Sequence, residues 1–215
     1  MTGGNGPDGR LLVIGGGGHA GVVIDVARAA GFTIVAALDA RAIGKVCNGV
    51  EVVGDDSMAA QFLERGVANA VIALGDNKLR FRIGSSLRAL GFLFPSIVHP
   101  TAVISPSAEI GPGTVVMPAA VINAGATIGE FAIVNTAAVV EHDCVIGDGS
   151  HIAPGTVLGG CVTVGKLAFV GIGSAARPQS IIGERAVIGA GSTVIGTIEA
   201  DSIVMGSPAR DRRAP

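Results

Sequence analysis

Every sixth residue from Val98 to Ala200 is aliphatic or alanine, and the column four places further on is almost entirely small. Ile104, Ile110, Val116 and Ile122 begin the first series after Val98; Ala102, Ala108, Thr114 and Ala120 begin the second. A hexad repeat of this kind predicts a parallel β-helix, whose short strands meet at tight corners while each coil buries its aliphatic side chain between its neighbours. Gly111, Gly129, Gly147, Gly165 and Gly183 recur every eighteen residues, so three hexads make one coil of a triangular prism. Glycine is expected there because the chain turns a corner with φ > 0. The repeat reads as unbroken through Ala200.

Residues 11–94 follow a different rhythm. Leu11–Ile14 is a short buried-strand run, Gly15–Gly21 is a glycine-rich turn, and Val22–Arg28 has helical spacing. Further strands are expected at 33–38, 50–53 and 70–74, with helices at 57–65 and 78–90, which makes a parallel, Rossmann-like α/β unit. The chain therefore divides into a flexible polar leader (1–10), an α/β domain (11–94), a coiled domain (95–205) and a tail (206–215).

Gly16-x-Gly18-x-x-Gly21 after a strand, with Asp39 about twenty residues from the turn, has the form of a dinucleotide fingerprint. Some eighty residues supply only half of a doubly wound sheet, which argues against NAD(P). A nucleotide-linked sugar suits the site better, set at the carboxyl ends of the strands against Gly17, Gly18, His19, Asp39, Gly75, Asp76 and Asn77. A packing turn with a solvated His19 is the competing reading.

Abundant glycine with no Trp or Tyr suits a thin prism, and a net charge of −2 provides no basic field for nucleic acid. The leader lacks an apolar signal core and no apolar run approaches a membrane span, so a cytoplasmic protein is expected. Cys47, Cys144 and Cys161 form no C-x-x-C pair and indicate neither disulfides nor a zinc knuckle. Cys144 falls in the small column as a packing residue; Cys144 and Cys161 both stand at repeat positions with no matched base, so no covalent acyl-enzyme is expected.

One stretch of the coils departs from Ala, Gly, Val, Ile and Thr: Asn135, Glu141, His142, Asp143 and His151 fall within seventeen residues. Residues eighteen apart stack at roughly the 4.8 Å inter-strand spacing, so His142 lies between Ala124 and Gly160. Small neighbours leave room for a substrate, and the Gly160 amide becomes a candidate oxyanion donor. Imidazole titrates near neutrality and suits a general base, with a neighbouring carboxylate to orient it. Asp143 and Glu141 both compete for that task, since alternation in a strand separates successive side chains unless a corner intervenes. His151 stacks in column with Ile133 and Phe169, where a core-edge role competes with a ligand role.

The prism resembles the left-handed β-helix of hexapeptide acyltransferases, and this resemblance alone supplies the handedness. A small α/β domain opening on Gly15-x-Gly17-Gly18-His19-Ala20 and joined through Val98-His99-Pro100-x-Ala102 resembles one subgroup: trimeric nucleotide-sugar N-acetyltransferases, of the bacillosamine and perosamine type, together with sialic acid O-acetyltransferases. The resemblance implies transfer from acetyl-CoA to the 4-amino group of a UDP-, dTDP- or GDP-linked deoxysugar, without a metal. It implies His142 as base and Asp143 as its partner, His151 against the acetyl group, and Asn135 near the acceptor. Ile172 and Ala190 would line the pantetheine arm. Val204–Arg210 resembles the family's G-x-P-A-K/R tail, where Arg210, Arg212 and Arg213 either serve CoA phosphates or belong to a frayed terminus.

Overall fold

The computed structural model describes residues 9–211, which form two compact units dividing after Pro100. The leader through residue 8, and Arg212 and Arg213, lie outside the described residues.

In the first unit, strands β1 (Arg10–Ile14), β2 (Thr33–Leu38), β3 (Val46–Cys47), β4 (Val50–Gly54) and β5 (Asn69–Ile72) form one sheet in the order β3-β4-β2-β1-β5. Leu11, Leu12, Val13 and Ile14 are all buried because a central parallel strand is covered on both faces. Helix α1 (Gly18–Ala29) buries Ala20, Val23, Ile24, Val26 and Ala27, one broad face of the helix. Helices α2 (Ala59–Glu64) and α3 (Asn77–Ala89) complete the unit. Sequence reasoning started α1 four residues late and missed β3. That strand pairs antiparallel with β4 through Asn48 (φ 48°) and Gly49 (φ 75°), the two left-handed residues a tight type I′ hairpin needs.

The second unit is the coiled prism, a left-handed parallel β-helix built of strands of two residues, with three at Ile203–Met205. On one wall Val103, Val121, Val139, Val157, Ala175 and Thr193 stand in strict register eighteen residues apart. Their successors Ile122, Val140, Leu158 and Val194 point inward and are buried. The small column is partly polar for a reason: Thr114, Cys144, Thr156 and Ser174 each donate to a carbonyl of the next coil, at 2.7, 3.2, 3.0 and 3.0 Å.

Two expectations about the repeat are corrected. The Gly111 column does not carry positive φ; a Cβ at Gly111, Gly129, Gly147, Gly165 or Gly183 would come within 2.4–2.6 Å of the backbone of the next coil, so close stacking demands glycine there. Left-handed residues fall two places later, at Gly113, Phe131, Gly149, Leu167 and Arg185, and in two further columns, of which one is Gly125, Asp143, Cys161 and Gln179. The repeat also slips. Only two residues join strand Thr193–Val194 to strand Thr197–Ile198, so Ile182 pairs with Ile198 and Ile188 with Val204, sixteen residues apart. Ile198 takes the place expected of Ala200, which is exposed.

The tail is not frayed at Arg210. Met205 pairs antiparallel with Arg210, and the Ala209 amide donates to the Thr193 carbonyl at 2.8 Å.

Candidate active site

The glycine turn, the end of β2 and the β5–α3 turn gather at the carboxyl ends of the strands, the usual ligand edge of an open parallel sheet. Gly15 (φ 131°) and Gly16 are needed by packing, since a Cβ would lie 2.6 Å from the Ala73 carbonyl oxygen or 2.9 Å from the Ala42 side chain. Gly17 and Gly18 are exposed, with open space around their Cβ positions. Asp39 braces the turn: its carboxylate accepts from the Gly16 amide at 2.8 Å and the Arg41 amide at 2.9 Å. Asp76 caps α3 by accepting from the Leu79 amide at 2.7 Å, and Gly75 beside it is exposed.

Sequence reasoning missed Arg80 altogether. This fully buried guanidinium donates to the carbonyls of Leu74 (2.9 Å) and Gly75 (3.2 Å) and to the Asn77 side-chain oxygen (2.8 Å). Burial pushes its pKa down to about 10, which leaves it charged at neutral pH. Nothing in a helical Lys-Leu-Arg run marks such a role. Burial, and then the nearby Arg80 charge, lowers the pKa of His19 below the usual imidazole value, so the neutral ring is favoured. Below about pH 6.5 the unfolded chain then binds more protons at His19 than the folded one, and stability falls with pH. His19→Asn should remove that contribution. Between about pH 7.5 and pH 5.5 the wild type is expected to lose more melting temperature than the variant; equal losses would contradict the half-buried neutral ring.

In the coils, His142 and Asp143 meet at a corner. His142 Nδ1 lies 2.8 Å from Asp143 Oδ2, whereas Glu141 reaches only the His142 backbone amide, at 3.3 Å. Asp143 therefore holds the ring. Its φ of 57° breaks the alternation of a strand and lets adjacent side chains point to the same side. Asp adopts this conformation more readily than most residues other than glycine. The pair is 59% and 64% exposed, so it adds little to stability.

The imidazole covers Gly160: a Cβ built there would lie 2.4 Å from His142 Nε2. The Gly159 amide donates to Ala176 and the Cys161 amide to His142, both at 2.9 Å, while the Gly160 amide has no such bond among the described residues. Cys161 requires a correction. The sequence offers it no matched base, yet it is exposed beside this pair, its Sγ within 4.8 Å of donor atoms of both His142 and Asp143. The signal was present in the numbering, because Cys161 stands one eighteen-residue coil beyond Asp143. Cys144 is buried, donates to the Gly159 carbonyl, and has its thiol pKa pushed up by burial, which suits packing.

His151, which is buried, and the half-buried Asn135 form a separate pair. Asn135 Oδ1 accepts from the Thr136 amide at 2.8 Å, which turns its Nδ2 toward His151 Nε2 at 3.0 Å. Nε2 is thus the acceptor and Nδ1 carries the proton. The ring stands edge-on to Phe169 with centroids 5.2 Å apart. Ile172 and Ala190 are exposed, and their corners are tied by the Gly191 amide donating to the Ile172 carbonyl at 2.8 Å.

A stacked-coil prism with an exposed His–Asp pair at a corner over Gly160 defines a hexapeptide acyltransferase. Residues 10–87 match the PglD N-terminal domain, and residues 125–160 match the bacterial transferase hexapeptide, six repeats. Among solved structures, perosamine N-acetyltransferase PerB from Caulobacter crescentus, in complex with CoA and GDP-perosamine, is 42% identical. It has a TM-score of 0.91, and the match covers 94% of this chain and 96% of that one. The acetyltransferase domain of PglB from Neisseria gonorrhoeae, in complex with acetyl coenzyme A, is 39% identical with a TM-score of 0.89, over 95% and 99% of the two chains. WeeI from Acinetobacter baumannii is 27% identical with a TM-score of 0.84, over 94% and 98%. No curated protein sequence matches. The chain belongs to the hexapeptide-repeat nucleotide-sugar N-acetyltransferases of the perosamine and bacillosamine type.

Proposed function

We propose that this enzyme transfers acetyl from acetyl-CoA to the 4-amino group of a nucleotide-linked amino-deoxysugar. The observation that carries the reading is the His142–Asp143 pair, 2.8 Å apart, with the imidazole lying over Gly160. Relatives at 39–42% identity bind CoA with GDP-perosamine, or acetyl coenzyme A, which supports both substrates.

With Nδ1–H donated to Asp143, the lone pair of His142 sits on Nε2, on the side of Gly160. The sugar amine attacks the thioester carbonyl, forming the C–N bond, and the tetrahedral oxyanion accepts from the Gly160 amide. His142 Nε2 takes the amine proton, Asp143 stabilises the imidazolium, and the C–S bond breaks as that proton passes to the departing thiolate. Glu141 is left to fix the backbone.

Gly17, Gly18, His19, Asp39, Gly75, Asp76 and Asn77 hold the nucleotide in this reading, and Asn135 lies near the acceptor sugar. His151, Ile172, Ala190 and Arg210 serve acetyl-CoA. The protein works in the cytoplasm as a homotrimer; supporting the assembly, the outward valine column leaves Val103 63% and Val157 45% exposed, an aliphatic strip suited to a second copy. No helix of the described residues is long and apolar enough to cross a membrane.

The test is thiol release from acetyl-CoA with GDP-, UDP- and dTDP-linked 4-amino sugars, run on a preparation sized by light scattering. Release with at least one of them, by a species of three chain masses, is expected. Release only with sialic-acid hydroxyls would overturn the substrate, and an active monomer would overturn the assembly.

A further inference from the structure

His142, Asp143 and Cys161 place one nitrogen, one oxygen and one sulfur donor within 4.8 Å of one another. The corner builds this cluster. Asp143 (φ 57°) and Cys161 (φ 59°) occupy the same left-handed position in successive coils, so their side chains leave the prism at the same place. A tetrahedral zinc ion with bonds of about 2.0–2.3 Å brings its ligand atoms to about 3.5 Å from one another. All three side chains are exposed, so small rotations bring the donors together. A thiolate–imidazole–carboxylate set is borderline-soft and discriminates against magnesium and calcium, which prefer all-oxygen shells.

We infer that the His142–Asp143–Cys161 corner is an inhibitory site for a thiophilic divalent cation such as zinc. The metal is not a cofactor. On binding it replaces the thiol proton, which leaves to solvent, and takes up an imidazole nitrogen, so the ring can no longer accept the amine proton. The inhibition, though not the binding, rests on His142 being the base. Three protein ligands leave a fourth position to water, and an open site of this kind exchanges metal readily with chelators.

Binding is read without activity by titrating the whole enzyme with cobalt(II). One equivalent per chain with a thiolate-to-cobalt charge-transfer band is expected, lost in Cys161→Ser and displaced by zinc. Cys161→Gly is the second variant, because glycine adopts the left-handed backbone freely. Zinc should inhibit the wild type at least tenfold at concentrations that leave both Cys161 variants active, and a chelator should restore the wild type. Absence of the sulfur-to-cobalt band, or equal zinc inhibition of wild type and variants, would overturn the inference. A band without inhibition would confirm the site and contradict His142 as the base.

Discussion

A Gly160→Ala enzyme is expected to fold as the wild type does and to lose about 10²-fold in kcat. The added methyl would sit 2.4 Å from His142 Nε2 and 2.6 Å from Cε1, so the ring must leave its place. What stands in the way is an exposed side chain rather than backbone, and the ring moves at little cost to the prism. Gly160 is also absent from the residues with positive φ, so alanine adopts its conformation, and such a replacement can even stabilise slightly by restricting the unfolded chain. The amide proposed for the oxyanion survives the substitution. The loss therefore isolates the position of the ring, and a displacement of about 1 Å suffices for a hundredfold effect. Steady-state kinetics beside a melting curve make the check; turnover within threefold of wild type would mean that the ring need not lie over Gly160.

The contrast with the Gly147 column is instructive. There an added Cβ would lie 2.5 Å from the Lys166 amide nitrogen, a backbone atom that cannot move aside. Both kinds of glycine look alike in the sequence. The hexad itself was legible because each buried Ile, Val or Leu answers to the same stacking interaction in the coil above and below, which makes the pattern additive along the chain. The corner conformations were not legible, because left-handed φ falls on Phe131, Leu167 and Arg185 as well as on glycines. Stacking of the flanking coils imposes it there, overriding intrinsic preference. The slip near Gly196 escaped notice for a related reason: Ala200 satisfies a small-or-aliphatic column as well as Ile198 does, and only the pairing of Ile182 with Ile198 distinguishes them.

At the site, the partner of His142 could not be chosen from alternation alone. The positive φ of Asp143 decides it by turning that carboxylate to the imidazole and leaving Glu141 to the backbone. Cys161 is legible in its eighteen-residue offset from Asp143, and a solenoid makes the absence of a neighbouring base in sequence irrelevant. Arg80 was out of reach. Its importance lies in being buried against the Leu74 and Gly75 carbonyls, which depends on how α3 packs and not on any local motif.

The central claim is that His142 accepts the amine proton while Asp143 holds it. Removal of the imidazole removes the acceptor and leaves the coils unchanged, since a side chain 59% exposed at a corner holds nothing in place. Asp143→Asn should cost less, because it keeps a side chain able to tolerate left-handed φ and removes only orientation and charge. His142→Ala should lower kcat by roughly 10²- to 10⁴-fold with both KM values little changed, the pattern of an interaction made in the transition state. The decisive measurement is kcat for His142→Ala with a nucleotide-linked 4-amino sugar and acetyl-CoA, on protein whose circular dichroism matches the wild type. A fall of at least a hundredfold is the predicted result; retention of more than about a third of wild-type turnover would show that solvent or the sugar itself takes the proton.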